Sequence, residues 1–190
     1  MKNKILFIFP FFIFSCACSG NYTPKPRAYF YIDLPQPVYR PLENYSQFTF
    51  DISNHAHVKE IRDSLGTKWF NIEYPHYNAG IYCSYFPVNK ETLVVKAKES
   101  EQMAYFHKIK ADGIDEYEFA RPEKKLYGLV YEIKGNVASP VQFVLTDSVR
   151  SFFRGALYFD NPSNIDSISP VLAYINRDIH IILESFQWKQ

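Results

Sequence analysis

Between residues 48 and 159 the apolar side chains arrive in short runs instead of long amphipathic stretches, and this spacing restricts the chain to a sheet-built fold. The runs lie at 48–52, 69–74, 81–86, 114–120, 126–134, 141–145 and 152–159, and all are rich in aromatic and β-branched residues. In the first, Phe48, Phe50 and Ile52 share one face at period two, the mark of a half-buried strand. The second and third are separated by Pro75, His76, Tyr77, Asn78, Ala79 and Gly80, a turn-rich connection that predicts a hairpin. Gly135-Asn136 is the strongest turn signal among the later runs. Connections this short favour antiparallel neighbours, so 114–159 reads as a meander.

Two segments break the period. Residues 89–110 lose the alternation, carry many Glu, Lys and Ala, and space Leu93, Ala97, Met103 and Ala104 as a modest apolar stripe, which predicts a helix ending before Gly113. Near the C-terminus, Ile168, Leu172, Ile175, Ile179, Ile182 and Phe186 recur three and four apart, one face of a second helix. Ser169 followed by Pro170 fits a helix start there, with Asn164 or Asp166 as starts one turn earlier. Such a stripe suits a coiled-coil seam or the chain's own sheet, and beside an aromatic-rich sheet the second use is favoured. Residues 54–66 are polar and read as a short helix or a loop, and residues 29–34, closed by Pro35 and Pro37, as an edge strand or an extended arm. The fold class is therefore α+β: a mainly antiparallel single sheet, one inserted helix and a long C-terminal amphipathic helix packed on it.

Composition sets the outer limits. With 190 residues, 47% of them apolar, the chain can bury one substantial core, and no internal repeat divides it. Aromatics at 18% against charged residues at 22% exclude the signature of disorder. Lys and Arg number 21 against 20 Asp and Glu, a balance of +1 that supplies no field for nucleic acid. Three Cys are too few for a disulfide framework or a repeated zinc framework.

The first residues are a targeting segment and not part of the fold. Lys2 and Lys4 precede an apolar run at 5–14 that is too short to span a bilayer and matches the pattern of a secretory signal. The run ends in Ile13-Phe14-Ser15-Cys16, with an apolar residue three before Cys and a small one just before it, as in a bacterial lipoprotein cleavage box, and with Phe14 bulkier than usual between them. Cys16 is then the lipidated N-terminus, because a thioether to a diacylglyceryl group needs a thiol there; Cys18, after Ser15-Cys16-Ala17, offers a weaker second box. A plain secretory signal cleaved after the run is the rival reading. Residues 1–15 form the signal, 16–27 a lipidated tether containing Pro24 and Pro26, and 28–190 one folded domain. The eleven residues after Cys16 reach roughly 35 Å when extended, so the partner read here is a membrane gripped through acyl chains, with the domain held just clear of the headgroups on the periplasmic side.

Candidate chemistry within the domain is sparse. His55 and His57, with Asp51 or Glu60, have the spacing of a metal pair only if both lie on one strand, and a solvated loop pair is the commoner outcome, so no metal or cofactor is assigned. Cys83 sits in the alternation Ile81, Cys83, Tyr85 and reads as a buried, inert thiol, although His76 lies across the turn. Ser139 and Ser148 lack a nucleophile elbow, and Thr146-Asp147-Ser148 reads as a side-chain-capped turn. No catalytic residue emerges. More informative is the run at 152–159, where alternation puts Phe153, Leu157 and Phe159 on one face and Phe152, Arg154 and Tyr158 on the other. An arginine among aromatics serves structure or a partner contact, and Gly155 beside it permits a bulge or close backbone approach. Tyr29, Tyr31, Tyr74, Tyr77 and Tyr85 suit either core rims or a recognition surface.

The strings NVASPVQFVLTDS at 136–148, FFRGALYF at 152–159, WFNIEYPHYNAGIYCSYFPV at 69–88 and YTPKPRAYFYIDLP at 22–35 carry a resemblance, as does the stretch from Asp166-Ser167-Ile168-Ser169-Pro170 to Trp188-Lys189. In order and over nearly the whole mature chain, they resemble the gliding motility lipoprotein GldD family of the Bacteroidota. The resemblance implies a membrane-anchored component needed for gliding motility and the associated type IX secretion system, with other gliding motility or secretion lipoproteins as partners and no catalytic residues to transfer. It places the lipid on Cys16 and leaves open which membrane holds it. The rival reading is a periplasmic lipid- or small-molecule-binding domain; a peptide or cell-wall hydrolase is more remote.

Overall fold

The computed structural model describes residues 32–160 and 165–189. The sequence-predicted signal, the tether and residues 28–31, with Tyr29 and Tyr31, lie outside them. The chain forms β1 (Tyr39–Leu42), β2 (Phe48–Ser53), β3 (His57–Ser64), β4 (Thr67–Tyr74), β5 (Ala79–Pro87), α1 (Lys90–Tyr105), β6 (Gly113–Arg121), β7 (Leu126–Lys134), β8 (Val141–Thr146), β9 (Ser151–Phe159), α2 (Ile165–Ser185) and β10 (Gln187–Trp188).

The fold is α+β with antiparallel pairing, but the expected single sheet is two. Seven strands form the large sheet in the order β3-β4-β5-β9-β8-β7-β6, and β1-β2-β10 form a small one. The large sheet is two meanders joined where β5 runs antiparallel to β9, with Cys83 opposite Gly155. Chain reversals follow local sequence. Pro75–Tyr77 and Pro122–Lys124 are Pro-led 3-10 turns closed by left-handed Asn78 (φ 47°) and Lys125 (φ 49°). α1 opens with a reciprocal cap: Asn89 Oδ1 accepts from Thr92 N at 2.8 Å, and Thr92 Oγ1 accepts from Asn89 N at 2.8 Å.

One face of the large sheet carries the main core. Phe70, Ile72 and Tyr74 of β4, Ile81, Cys83 and Tyr85 of β5, and Phe153, Leu157 and Phe159 of β9 pack with Phe48, Phe50 and Ile52 of the small sheet and with α2. Rings dominate it: Phe48 lies 5.2 Å from Phe153 and 5.8 Å from Phe186 between centroids, and Phe186 lies 4.7 Å from Trp188. The C-terminus is laced in, since Lys189 N donates to Gln47 O at 2.9 Å and its Nζ to Tyr45 O at 2.7 Å. The opposite, outer face of the sheet carries α1, where Ala104 packs on Tyr131, Ile133 and Val137.

Several expectations change. The polar stretch 54–66 is mostly strand β3, neither helix nor loop, and it pairs with β4 through an irregularity between Glu60 and Arg62. Residues 32–38 form no strand; their described part is an extended arm whose Ile32 and Leu34 rest on the core and whose Asp33 carbonyl accepts from Tyr77 Oη at 2.8 Å. α2 takes the earlier start, so Pro170 lies inside the helix and not at its first position. It buries Val171, Tyr174, Ile175, Asp178, Ile179, Ile182 and Leu183 and exposes Arg177, His180 and Glu184. The α1 stripe is shallower than its spacing implies, because Ala97 and Met103 are exposed while Ser100 and Ala104 are buried.

Candidate functional site

Chemistry-bearing residues gather on the outer face of the large sheet beside α1. Because side chains alternate along β9, Phe153, Leu157 and Phe159 enter the main core while Phe152, Arg154 and Tyr158 point to the α1 side, as alternation predicts. Gly155, on the core face, is there for close approach: a Cβ would stand 2.2 Å from Cζ of Phe143. Arg154 Nη2 donates to Oε1 of Gln142 at 2.6 Å, and Gln142 is itself buried on β8. Burial lowers the Arg154 pKa, partly offset by the Tyr158 hydroxyl beside it. Tyr158 meets Tyr82 edge to face at 5.2 Å, and Trp69 meets Phe86 at 5.8 Å.

Two open grooves flank α1 and share Phe152. The first, about 610 Å³, lies over β4, β5 and β9; the second, about 740 Å³, lies over β6, β7 and β8 and is bordered by Leu93, Val94, Tyr127 and Leu129. α1 and its following turn also expose large apolar side chains, with Val94 65%, Phe106 77% and Ile109 89% exposed. His107, Lys108 and Lys110 interrupt that turn. Burial and then the Arg154 charge hold His107 below its ordinary imidazole value.

Sequence reasoning missed a second polar centre, between the two sheets. Asp178 of α2 is 1% exposed and accepts from Tyr39 Oη at 2.6 Å and Tyr74 Oη at 3.0 Å. Burial raises its pKa, and the two phenol hydrogen bonds only partly offset that. The signal was present: Asp178 stands three residues after Ile175 and next to Ile179, an inward position where a carboxylate is out of place unless the fold supplies donors. Tyr39, Tyr74 and Asp178 thus tie β1, β4 and α2 together.

The other sequence candidates separate. His57 lies on β3 opposite Glu73, whereas His55 sits in the turn before it and borders a cleft of about 440 Å³ with His76 and Tyr77, so the two imidazoles do not share a strand face. No group of three or more His, Cys, Asp or Glu converges among the described residues. Cys83 is buried on the core face, and burial pushes its thiol pKa well up, which disfavours the nucleophilic thiolate. Tyr74 and Tyr85 are core, while Tyr77 is half-buried against Tyr174. The Thr146-Asp147-Ser148 turn is as predicted: Asp147 Oδ1 accepts from the N–H groups of Val149, Arg150 and Ser151 at 2.8–2.9 Å, and Thr146 Oγ1 accepts from Ser148 N at 2.9 Å. Cys16 and Cys18 lie outside the described residues. Among the described residues no helix is long and apolar enough to cross a membrane.

Comparison with protein families gives one match. The family model described as gliding motility lipoprotein GldD covers residues 19–188, a span that begins after both Cys16 and Cys18. None of the curated proteins matches the chain.

Proposed function

The chain belongs to the gliding motility lipoprotein GldD family, and from that premise we propose that it is a non-enzymatic, membrane-tethered factor that assembles or stabilises partners in the machinery of gliding motility and type IX secretion. Its lipid sits on Cys16, and its domain faces the periplasm. The observation that carries the partner role is the exposed apolar surface of α1 and the turn after it, at Val94, Phe106 and Ile109. Several side chains of that size at such exposure on one helix and the turn after it support a protein contact there. The absence of a catalytic role fits a buried Cys83 whose thiol is held protonated and a Ser148 that closes a turn.

The test is crosslinking in cells with a photoreactive residue at position 106 or 109, followed by mass spectrometry. Capture of other motility or secretion lipoproteins is the expected result, and capture of none counts against the assembly role. Deletion that leaves colony spreading and protein secretion intact removes the pathway assignment.

A further inference from the structure

The groove over β4, β5 and β9 contains a charge without a counter-ion among the described residues. Its walls are mainly apolar, with Trp69, Tyr82, Phe86, Met103 and Phe152 around Arg154. Among the described residues no carboxylate lies within ion-pair distance of that guanidinium; Glu99, the acidic residue on the groove wall, is held by Lys96 at 2.8 Å. Lys96 also sits 4.7 Å over the Phe86 ring. Gln142, the hydrogen-bond partner of Arg154, is neutral. An arginine does not shed its proton at accessible pH, so the positive charge stays in a half-buried apolar setting, where an unpaired charge is unfavourable. Lys96, Glu99 and Arg154 leave the groove with one net positive charge.

We propose that this groove binds a small amphipathic carboxylate, its head on Arg154 and its apolar body along Trp69, Phe86 and Phe152. The planar two-oxygen head matches the guanidinium, whose Nη2 already donates to Gln142 and which also meets the Tyr158 hydroxyl, two neutral groups that leave its charge unbalanced. A phosphate monoester would bring a second negative charge that the groove does not neutralise. A volume of about 610 Å³ suits a single medium-length chain or an aromatic acid, and the ring-lined walls offer it apolar contact. The site is independent of the partner surface on α1 and does not rest on the assembly reading.

Calorimetric titration of the full chain with decanoate, decanol and decyl phosphate tests the assignment. Decanoate binds saturably at one site, decanol binds about tenfold or more weaker, and Arg154→Gln lowers decanoate affinity to the decanol level without changing decanol binding. Because Arg154→Gln also removes a partner of Gln142, a second measurement uses the unaltered chain: bound decanoate raises the His107 titration followed by NMR, since burial depresses it first and the anion offsets the second cause, the guanidinium. The proposal is overturned by decanol binding as tightly as decanoate, by unchanged decanoate affinity in Arg154→Gln, by no saturable binding, or by an unmoved His107. Decyl phosphate binding tighter than decanoate overturns the choice of a carboxylate.

Discussion

Asp147 and Asp178 respond to pH in opposite senses because different donors meet them. At Asp147 burial alone would raise the pKa, but three backbone N–H groups prevail and hold it below the ordinary carboxylate range. Its contribution to stability is therefore present above the unfolded value and is lost as pH falls through the lower folded value. At Asp178 the folded pKa is raised, so its contribution is complete below the unfolded value and is lost as pH rises through the folded one. Thermal melts from about pH 3 to 7 check both signs against the ordinary carboxylate value near about 4. The advantage of the native chain over Asp147→Asn shrinks toward acid, and its advantage over Asp178→Asn shrinks toward neutrality. Asp178→Ala, which strips the acceptor from the buried Tyr74 hydroxyl, costs about 1–3 kcal/mol by denaturant titration. Gly155→Ala costs about 1–3 kcal/mol in the same assay, because Phe143 occupies the space a methyl needs. The Asp147 turn was legible because its donors are its sequence neighbours. Those of Asp178 come from 104 and 139 residues away, and no local pattern encodes them.

The same distinction between local and distant causes governs the elements. Strands β2, β4, β5, β7, β8 and β9 were legible because a neighbour on each side and a packed face act on them, and edge strand β6 was legible from its Ile114, Tyr117 and Phe119. β3, the other edge strand, was not, since its Lys59 and Glu60 mask the alternation, the kind of charge that keeps other chains from adding to an edge. The small sheet was hidden for another reason: β1 has four residues including Pro41, β10 has two, and β10 pairs with a strand at the far end of the chain, Gln187 opposite Thr49. α1 rests on its cap more than on its shallow buried stripe, so Asn89→Ala lowers stability by about 1 kcal/mol and lowers helical signal or amide protection in residues 90–105 first. Phe186→Ala empties the centre of the ring cluster and costs about 3–5 kcal/mol.

At the scale of the whole molecule, a filled aromatic core sits on one side of the large sheet and a lightly covered face on the other. The Arg154 groove and the apolar flank of α1 both belong to the lightly covered side. Replacing Phe106 and Ile109 with Asp should abolish partner crosslinks while shifting stability by no more than about 0.5 kcal/mol, since both side chains are already in water. Cys16→Ser should release the chain from membranes with the fold unchanged; membrane retention in that variant would move the lipid to Cys18.

The lacing of Phe186, β10 and Lys189 into β2 bears on when the domain can fold at all. A ribosome delivers a chain from its N-terminus, and here the ring that completes the core and the strand that closes the small sheet follow the strand they meet, Phe48–Ser53, only after both helices and the whole large sheet. Until they arrive, Phe48 and Phe50 have an open side and the small sheet lacks a member. A chain so arranged cannot close its ring cluster on the growing end as it emerges; closure waits for Phe186 and its neighbours.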